Sequence, residues 1–113
     1  MKHNDDGKQA EIKTSQYLES LGFKIIDNNW KTTKCEIDII AKKKGCVYFV
    51  EVKYRSNDSQ GTGFDYVTYA KQKQMAYAAE SWVVSNNWTG NYCLSAASVY
   101  GPNYKIDFIE EIY

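Results

Sequence analysis

The chain has 113 residues, 43% hydrophobic and 25% charged, a length that favours one domain, 1–113, with a core that needs no disulfide staples. It contains no apolar run long enough for a transmembrane helix. Fourteen Lys and Arg balance fourteen Asp and Glu; zero net charge argues mildly against a nucleic-acid binder, although the distribution of charge matters more than its sum.

The opening "MKHNDDGKQAEIK" lacks the apolar segment of a signal peptide, so a cytoplasmic location is the default expectation, with no membrane partner. Residues 8–21 place Ala10, Thr14, Tyr17, Leu18 and Leu21 at helical spacing. Asp5 or Asp6 could cap that helix, and Gly22 stands where a terminating glycine belongs. "FKIIDNNW" reads as a short strand ending in an Asn-rich turn. "CEIDIIAK" and "CVYFVEVKYR" are strand-like runs separated by a Lys- and Gly-containing turn. Residues 56–63 form a polar loop, and 66–84 a second helix. "YCLSAASVY" and "YKIDFIEEIY" close the chain as two strands around Gly101–Pro102. The order α-β-β-β-α-β-β suits a parallel crossover beside an antiparallel pair, and hence an α/β fold with a mixed sheet.

Cys35, Cys46 and Cys93 are odd in number and form no CxxC pair, so they read as reduced residues in or near the core. His3, the sole histidine, lies near the chain start and gives little support to histidine chemistry. Between residues 31 and 55, Lys31, Lys34, Lys42, Lys43, Lys44, Lys53 and Arg55 outnumber Glu36, Asp38 and Glu51.

The two central strands pose the main question. Alternation puts Val47, Phe49, Glu51 and Lys53 on one face of the second strand. Glu36, Asp38 and Ile40 share a face of the first, with Ile37, Ile39 and Ala41 on the other. A two-residue turn at Lys44–Gly45 pairs Lys43 with Cys46 and sets Asp38 opposite Glu51, with Cβ atoms about 5 Å apart. A four-residue loop leaves them diagonal neighbours, and a three-residue loop separates them onto opposite faces. Gly45 suits a tight hairpin turn. Two facing carboxylates beside Phe49, Val47 and Ile40 call for a cation. Lys53 is one candidate; magnesium or manganese, which prefer oxygen ligands, is the other. The plainer reading is an exposed cluster of ion pairs.

The stretches "EIDII", "VYFVEVKYR" and "KQKQMAYAAESWV" resemble the YraN-like family of endonuclease-like proteins. That family is grouped with the PD-(D/E)xK nucleases and related to Holliday-junction resolvases. The resemblance runs from the first helix to about Trp82. It implies a restriction-endonuclease-like, three-layer α/β/α fold. It also implies Asp38, Glu51 and Lys53 as the nuclease motif, with Asp38 and Glu51 as ligands of Mg2+ or Mn2+. Glu11 matches a helix glutamate that reaches the metal site in related resolvases, and Glu36 a supporting position beside it. Lys71 and Gln72 match a Lys-Gln pair that could touch DNA phosphate, and Arg55 joins them as a candidate DNA contact. Asn29 matches an asparagine whose role the sequence does not give. The chain departs from the family at Cys93 and Ser95, where Arg and Asp are usual. It departs again at Gln60, where an aromatic commonly precedes the glycine matched by Gly61.

The expectation is therefore a metal-dependent DNA endonuclease, with branched or damaged DNA among its candidate substrates. Dimerisation would suit paired cuts on a junction, by analogy with the family. The alternatives are a catalytically inactive nuclease-like module that binds nucleic acid or protein, and an interaction protein with an aromatic surface.

Overall fold

The computed structural model describes residues 2–56 and 63–112, with side chains from Asp5 onward. The side chain of His3, and Gln60 and Gly61 in the loop expected at 56–63, lie outside the described residues.

Helix α1 (Lys2–Ser20) begins well before residue 8 and carries Asp5 in its first turn. Acidic residues are favoured there by the helix dipole. The turn also has a tertiary anchor, because the Tyr104 hydroxyl donates to Asp6 Oδ1 at 2.9 Å. The aspartates thus lie within the helix instead of capping it from outside. Its other end is as expected. Gly22 adopts φ +95°, and the N–H groups of Gly22 and Phe23 bond the carbonyls of Glu19 and Leu18, each at 3.0 Å. This is the paired closure for which glycine is favoured.

Strand β1 (Lys24–Lys31) continues through the asparagines that had suggested a turn. A register shift between Ile25 and Asp27 and a positive φ at Asn29 absorb the irregularity inside the strand. Strands β2 (Glu36–Lys43) and β3 (Cys46–Arg55) form the expected hairpin. Lys44 and Gly45 adopt φ of 52° and 79°, the sign pattern of a two-residue type I′ turn, and Lys43 pairs with Cys46. Helix α2 (Tyr69–Ser85) starts later than residue 66 because Thr68 caps it, its side chain accepting the Lys71 N–H at 3.1 Å. Strands β4 (Asn91–Tyr100) and β5 (Lys105–Ile109) follow.

The sheet order is β1-β2-β3-β4-β5, antiparallel except for the parallel β3–β4 pair. The α2 crossover makes that pair possible. On one face, Met75, Ala78, Ala79 and Trp82 of α2 pack on Ile40, Val47, Phe49 and Leu94. On the other, Leu18 of α1 and Phe23 pack on Ile39, Ala41, Val50 and Ala97. The fold is thus a restriction-endonuclease-like α/β arrangement with a helix on each side of the sheet. No helix among the described residues is long and apolar enough to cross a membrane.

Strict alternation fails at Ile37, which joins Ile40 in the α2-side core although Ile39 faces α1. The pairing explains this. β2 and β3 are in register only as far as Ile39 opposite Val50, although both strands continue. Beyond that point β3 pairs with β4, and β2 with β1. The sheet therefore opens between its second and third strands, where the pleat no longer dictates facing.

The three cysteines are free and partly buried. Cys93 and Ser95 serve the C-terminal segment: both side chains donate to the Glu110 carbonyl, and the Ile112 N–H bonds Leu94 O at 2.8 Å. A tether to the tail occupies the positions where an Arg and an Asp had been usual.

Candidate active site at the sheet opening

Asp38 sits at the mouth of this opening. Its Oδ2 accepts the backbone N–H of Val52 at 2.8 Å, supplying across the gap the acceptor that β2 backbone no longer provides. The carboxyl is pushed up to about 7, first by burial and then by Glu51, with further contributions from Glu11 and Glu36; the Val52 N–H opposes them. Burial and neighbouring charge of the same sign both penalise an ionised carboxyl.

Glu51 lies one residue beyond the last β2–β3 pair and is partly buried. Its Oε2 meets Lys71 Nζ of α2 at 2.9 Å. Among the described residues, the ion-pair partner of this carboxylate is Lys71 of α2 and not the candidate Lys53. Lys53 is exposed, stands beside Ser98 in the β3–β4 register, and lines a groove with Glu51, Tyr66 and Lys71.

Glu11 approaches from the opposite layer. It is half-buried on α1, and burial raises its carboxyl, opposed by a hydrogen bond from the Asn29 side chain and reinforced by Glu36 and Glu51. Asn28 Nδ2 donates to Ser15 Oγ at 3.0 Å. The two asparagines thus fasten β1 to α1 residues four apart, which share a helix face. This assigns Asn29 the task of holding Glu11. Glu36 is exposed, yet close enough to raise both Asp38 and Glu11.

The sheet opening explains how helices on opposite faces reach one cluster. Glu51 raises the Glu11 carboxyl of α1 and pairs with Lys71 of α2. Among the described residues, no three His, Cys, Asp or Glu side chains are gathered closely enough to hold a metal ion by themselves. The donor chemistry instead suits a hard cation bound by one or two carboxylates and retaining several waters.

Of the candidate DNA contacts, Lys71 is engaged with Glu51. Gln72 Nε2 donates to Val67 O at 3.2 Å, which turns its amide back onto the start of α2. Arg55 is partly buried and close enough to lower the Tyr66 hydroxyl.

Tyr66 is a site residue for which the sequence carried no signal. Its hydroxyl lies 3.4 Å from the Glu51 carbonyl and 3.3 Å from the Ala97 carbonyl. Burial, then Glu51 and Asp38, raise this hydroxyl, so it remains a neutral donor supporting the backbone at Glu51.

A family model described as "Uncharacterised protein family UPF0102" matches residues 10–110. The chain is 32% identical to a UPF0102 protein of Cytophaga hutchinsonii, with 97% of each chain covered. It is 34% identical to one from Flavobacterium psychrophilum, covering 98% of this chain and 95% of that one. A Helicobacter pylori relative is 33% identical, with 98% and 93% covered.

Proposed function

The chain belongs to the uncharacterised protein family UPF0102, a name that assigns no activity, and we propose that it is a Mg2+- or Mn2+-dependent DNA endonuclease centred on Asp38, Glu51 and Lys53. The observation that carries this reading is the state of Asp38. Its carboxyl is held near 7 by burial and by three other carboxylates, an arrangement that a bound divalent cation would relieve.

Asp38 and Glu51 are the residues that would hold the ion, while Glu11, oriented by Asn29, would add negative charge nearby. The ion would polarise a phosphoryl oxygen and make a bound water more acidic. Lys53, in the groove beside Glu51, would stabilise negative charge on the phosphoryl oxygens as water attacks phosphorus in line. Lys71 would exchange its ion pair with Glu51 for a phosphate oxygen. Tyr66 would keep the Glu51 backbone in place.

A second reading, a nuclease-like binding module without turnover, draws support from the Lys71–Glu51 ion pair, since a lysine already supplies the cation. The deciding experiment is a panel of linear, single-stranded, flapped and four-way DNA with Mn2+, comparing wild type with Asp38→Asn and Lys53→Ala. Cleavage by the wild type alone supports the enzyme. Salt-sensitive binding without product from any substrate supports the module. Equal cleavage by all three proteins, with contaminating nuclease excluded, overturns the proposed centre.

A further inference from the structure

Helix α2 presents Tyr69, Lys73 and Tyr77 at intervals of four residues, so they follow one another along its outer side. Tyr69 is 76% exposed and Tyr77 51%. Neither ring contributes to the core, which α2 builds from Met75, Ala78, Ala79 and Trp82. Lys73 Nζ lies 5.3 Å from the Tyr69 ring centroid, within the range of a cation–π contact. Lys73 and Tyr77 also line a groove that runs to Glu51, with Lys34 from the β1–β2 connection and Lys71 beside them. The acids on this groove are Glu36 and Glu51, and Glu51 is paired with Lys71.

Aromatic rings alternating with lysines suit one kind of ligand especially well. A duplex keeps its base faces inside its own stack and offers mainly phosphates and groove edges, whereas an unpaired strand also offers base faces that can lie on aromatic rings. The helical rise separates Tyr69 from Tyr77 by about 12 Å along the axis. That corresponds to about three nucleotides of a strand at 3.4 Å each, fewer if the strand is stretched. We propose that this side of α2 seats an unpaired segment of nucleic acid, with bases on Tyr69 and Tyr77, phosphates near Lys73 and Lys34, and the strand leading to Glu51. Only the last clause rests on the nuclease reading; the seat itself is a binding site and requires no turnover.

The test uses the full-length protein in EDTA, where cleavage cannot intervene. Binding of a fluorescent single-stranded oligodeoxynucleotide, its RNA counterpart and a blunt duplex is measured by anisotropy across a salt series. A single strand containing 2-aminopurine reports stacking. The single strand is expected to bind at least ~10-fold more tightly than the duplex, since base–ring stacking adds to a shared phosphate term. Tyr69→Ala and Tyr77→Ala should each weaken it by about 5- to 100-fold and restore 2-aminopurine fluorescence. Tyr→Phe at either position should stay within about 2-fold, and Lys73→Ala should flatten the salt dependence by about 0.7 in log–log slope. A preference for the DNA or RNA strand identifies the sugar, and equal binding to both equally supports an unpaired strand as the ligand. Equal affinity for strand and duplex, no effect of either Tyr→Ala change, or no nucleic-acid binding would overturn the proposal. Tight single-strand binding by a wild type that cleaves nothing in Mn2+ would refute the nuclease and leave the seat standing. Cleavage in Mn2+ by a protein whose single-strand binding is indifferent to both tyrosines would do the reverse.

Discussion

Asp38 and Val52 are joined by a 2.8 Å hydrogen bond from a backbone N–H to a carboxylate oxygen, at the point where β2 and β3 cease to pair. The side chain completes the hydrogen bonding of a strand edge, and its charge is disfavoured by burial and by Glu51. One residue therefore has a structural task that an amide can also perform and an electrostatic cost that an amide does not share.

The first prediction concerns that cost. The native carboxyl titrates near 7, against an ordinary value of 3.8, so the folded state holds the proton more tightly than the unfolded chain. The stabilisation from that proton is complete below about pH 4 and is lost as pH rises through about 7. At 1.36 kcal/mol per pKa unit, the upper end of the effect is roughly 4 kcal/mol. Asp38→Asn keeps an acceptor for Val52 and removes the charge. In EDTA at pH 8 it is expected to exceed wild type by about 2–4 kcal/mol in urea unfolding, with the gap closing below pH 4. Equal stability at pH 8 would remove the electrostatic argument.

Lys71 and Glu51 are both partly exposed, so their ion pair should contribute only about 0–1 kcal/mol to stability. Lys71→Ala should therefore unfold within about 1 kcal/mol of wild type. Its effect on metal is expected to be larger, because Glu51 loses a resident competitor. Manganese titrated calorimetrically into the variant should bind several-fold more tightly, and weaker binding would mean that the lysine assists the metal instead of competing with it.

Asn29 combines a left-handed backbone with a hydrogen bond to Glu11. Asn29→Ala should cost about 2 kcal/mol, part from the positive φ and part from the lost bond. Asn29→Gly should recover the backbone part. In both variants the Glu11 carboxyl should titrate higher than in wild type, since the interaction that lowers it is gone. NMR titration of the Glu11 side chain measures this directly, and an unchanged value in Asn29→Gly would sever the two residues.

These three positions differ in how far the sequence disclosed them. Gly45 and the spacing of Asp38 and Glu51 announced the hairpin, because a period of two and an even turn are local properties. Ile37 escaped the same logic, since its facing is set by where two strands stop pairing, and that depends on β1 and β4. The asparagines of β1 resembled a turn because strand propensity penalises them; only contact with Ser15 and Glu11 on α1 explains their place in the strand. Lys71 stood out for phosphate, but its contact with Glu51 depends on how α2 packs across the sheet. The starts of both helices were misplaced because apolar spacing is silent there: α1 runs on through the polar residues back to Lys2, and a cap from Thr68 sets the start of α2.

Tyr66 tests whether support from behind the site matters. Tyr66→Phe keeps the ring and removes the hydroxyl shared by the Glu51 and Ala97 carbonyls. The expected loss of stability is about 1 kcal/mol. If the proposed centre operates, kcat should fall by more than KM rises, because Glu51 loses its positioning while the groove keeps its lining. A pure KM effect would place the tyrosine on the substrate side instead.

The Lys44–Gly45 turn lies at the far end of the hairpin from Asp38 and carries none of the proposed chemistry. It nevertheless acts as the gauge for the paired part of the hairpin, up to Ile39 and Val50, from which Asp38 and Glu51 follow as the next residues. One residue added there would displace each β3 side chain by one position against β2 and carry Glu51 away from Asp38. Its length is thus constrained more tightly than the identity of many residues nearer the carboxylates, and natural variation here should favour substitutions over insertions.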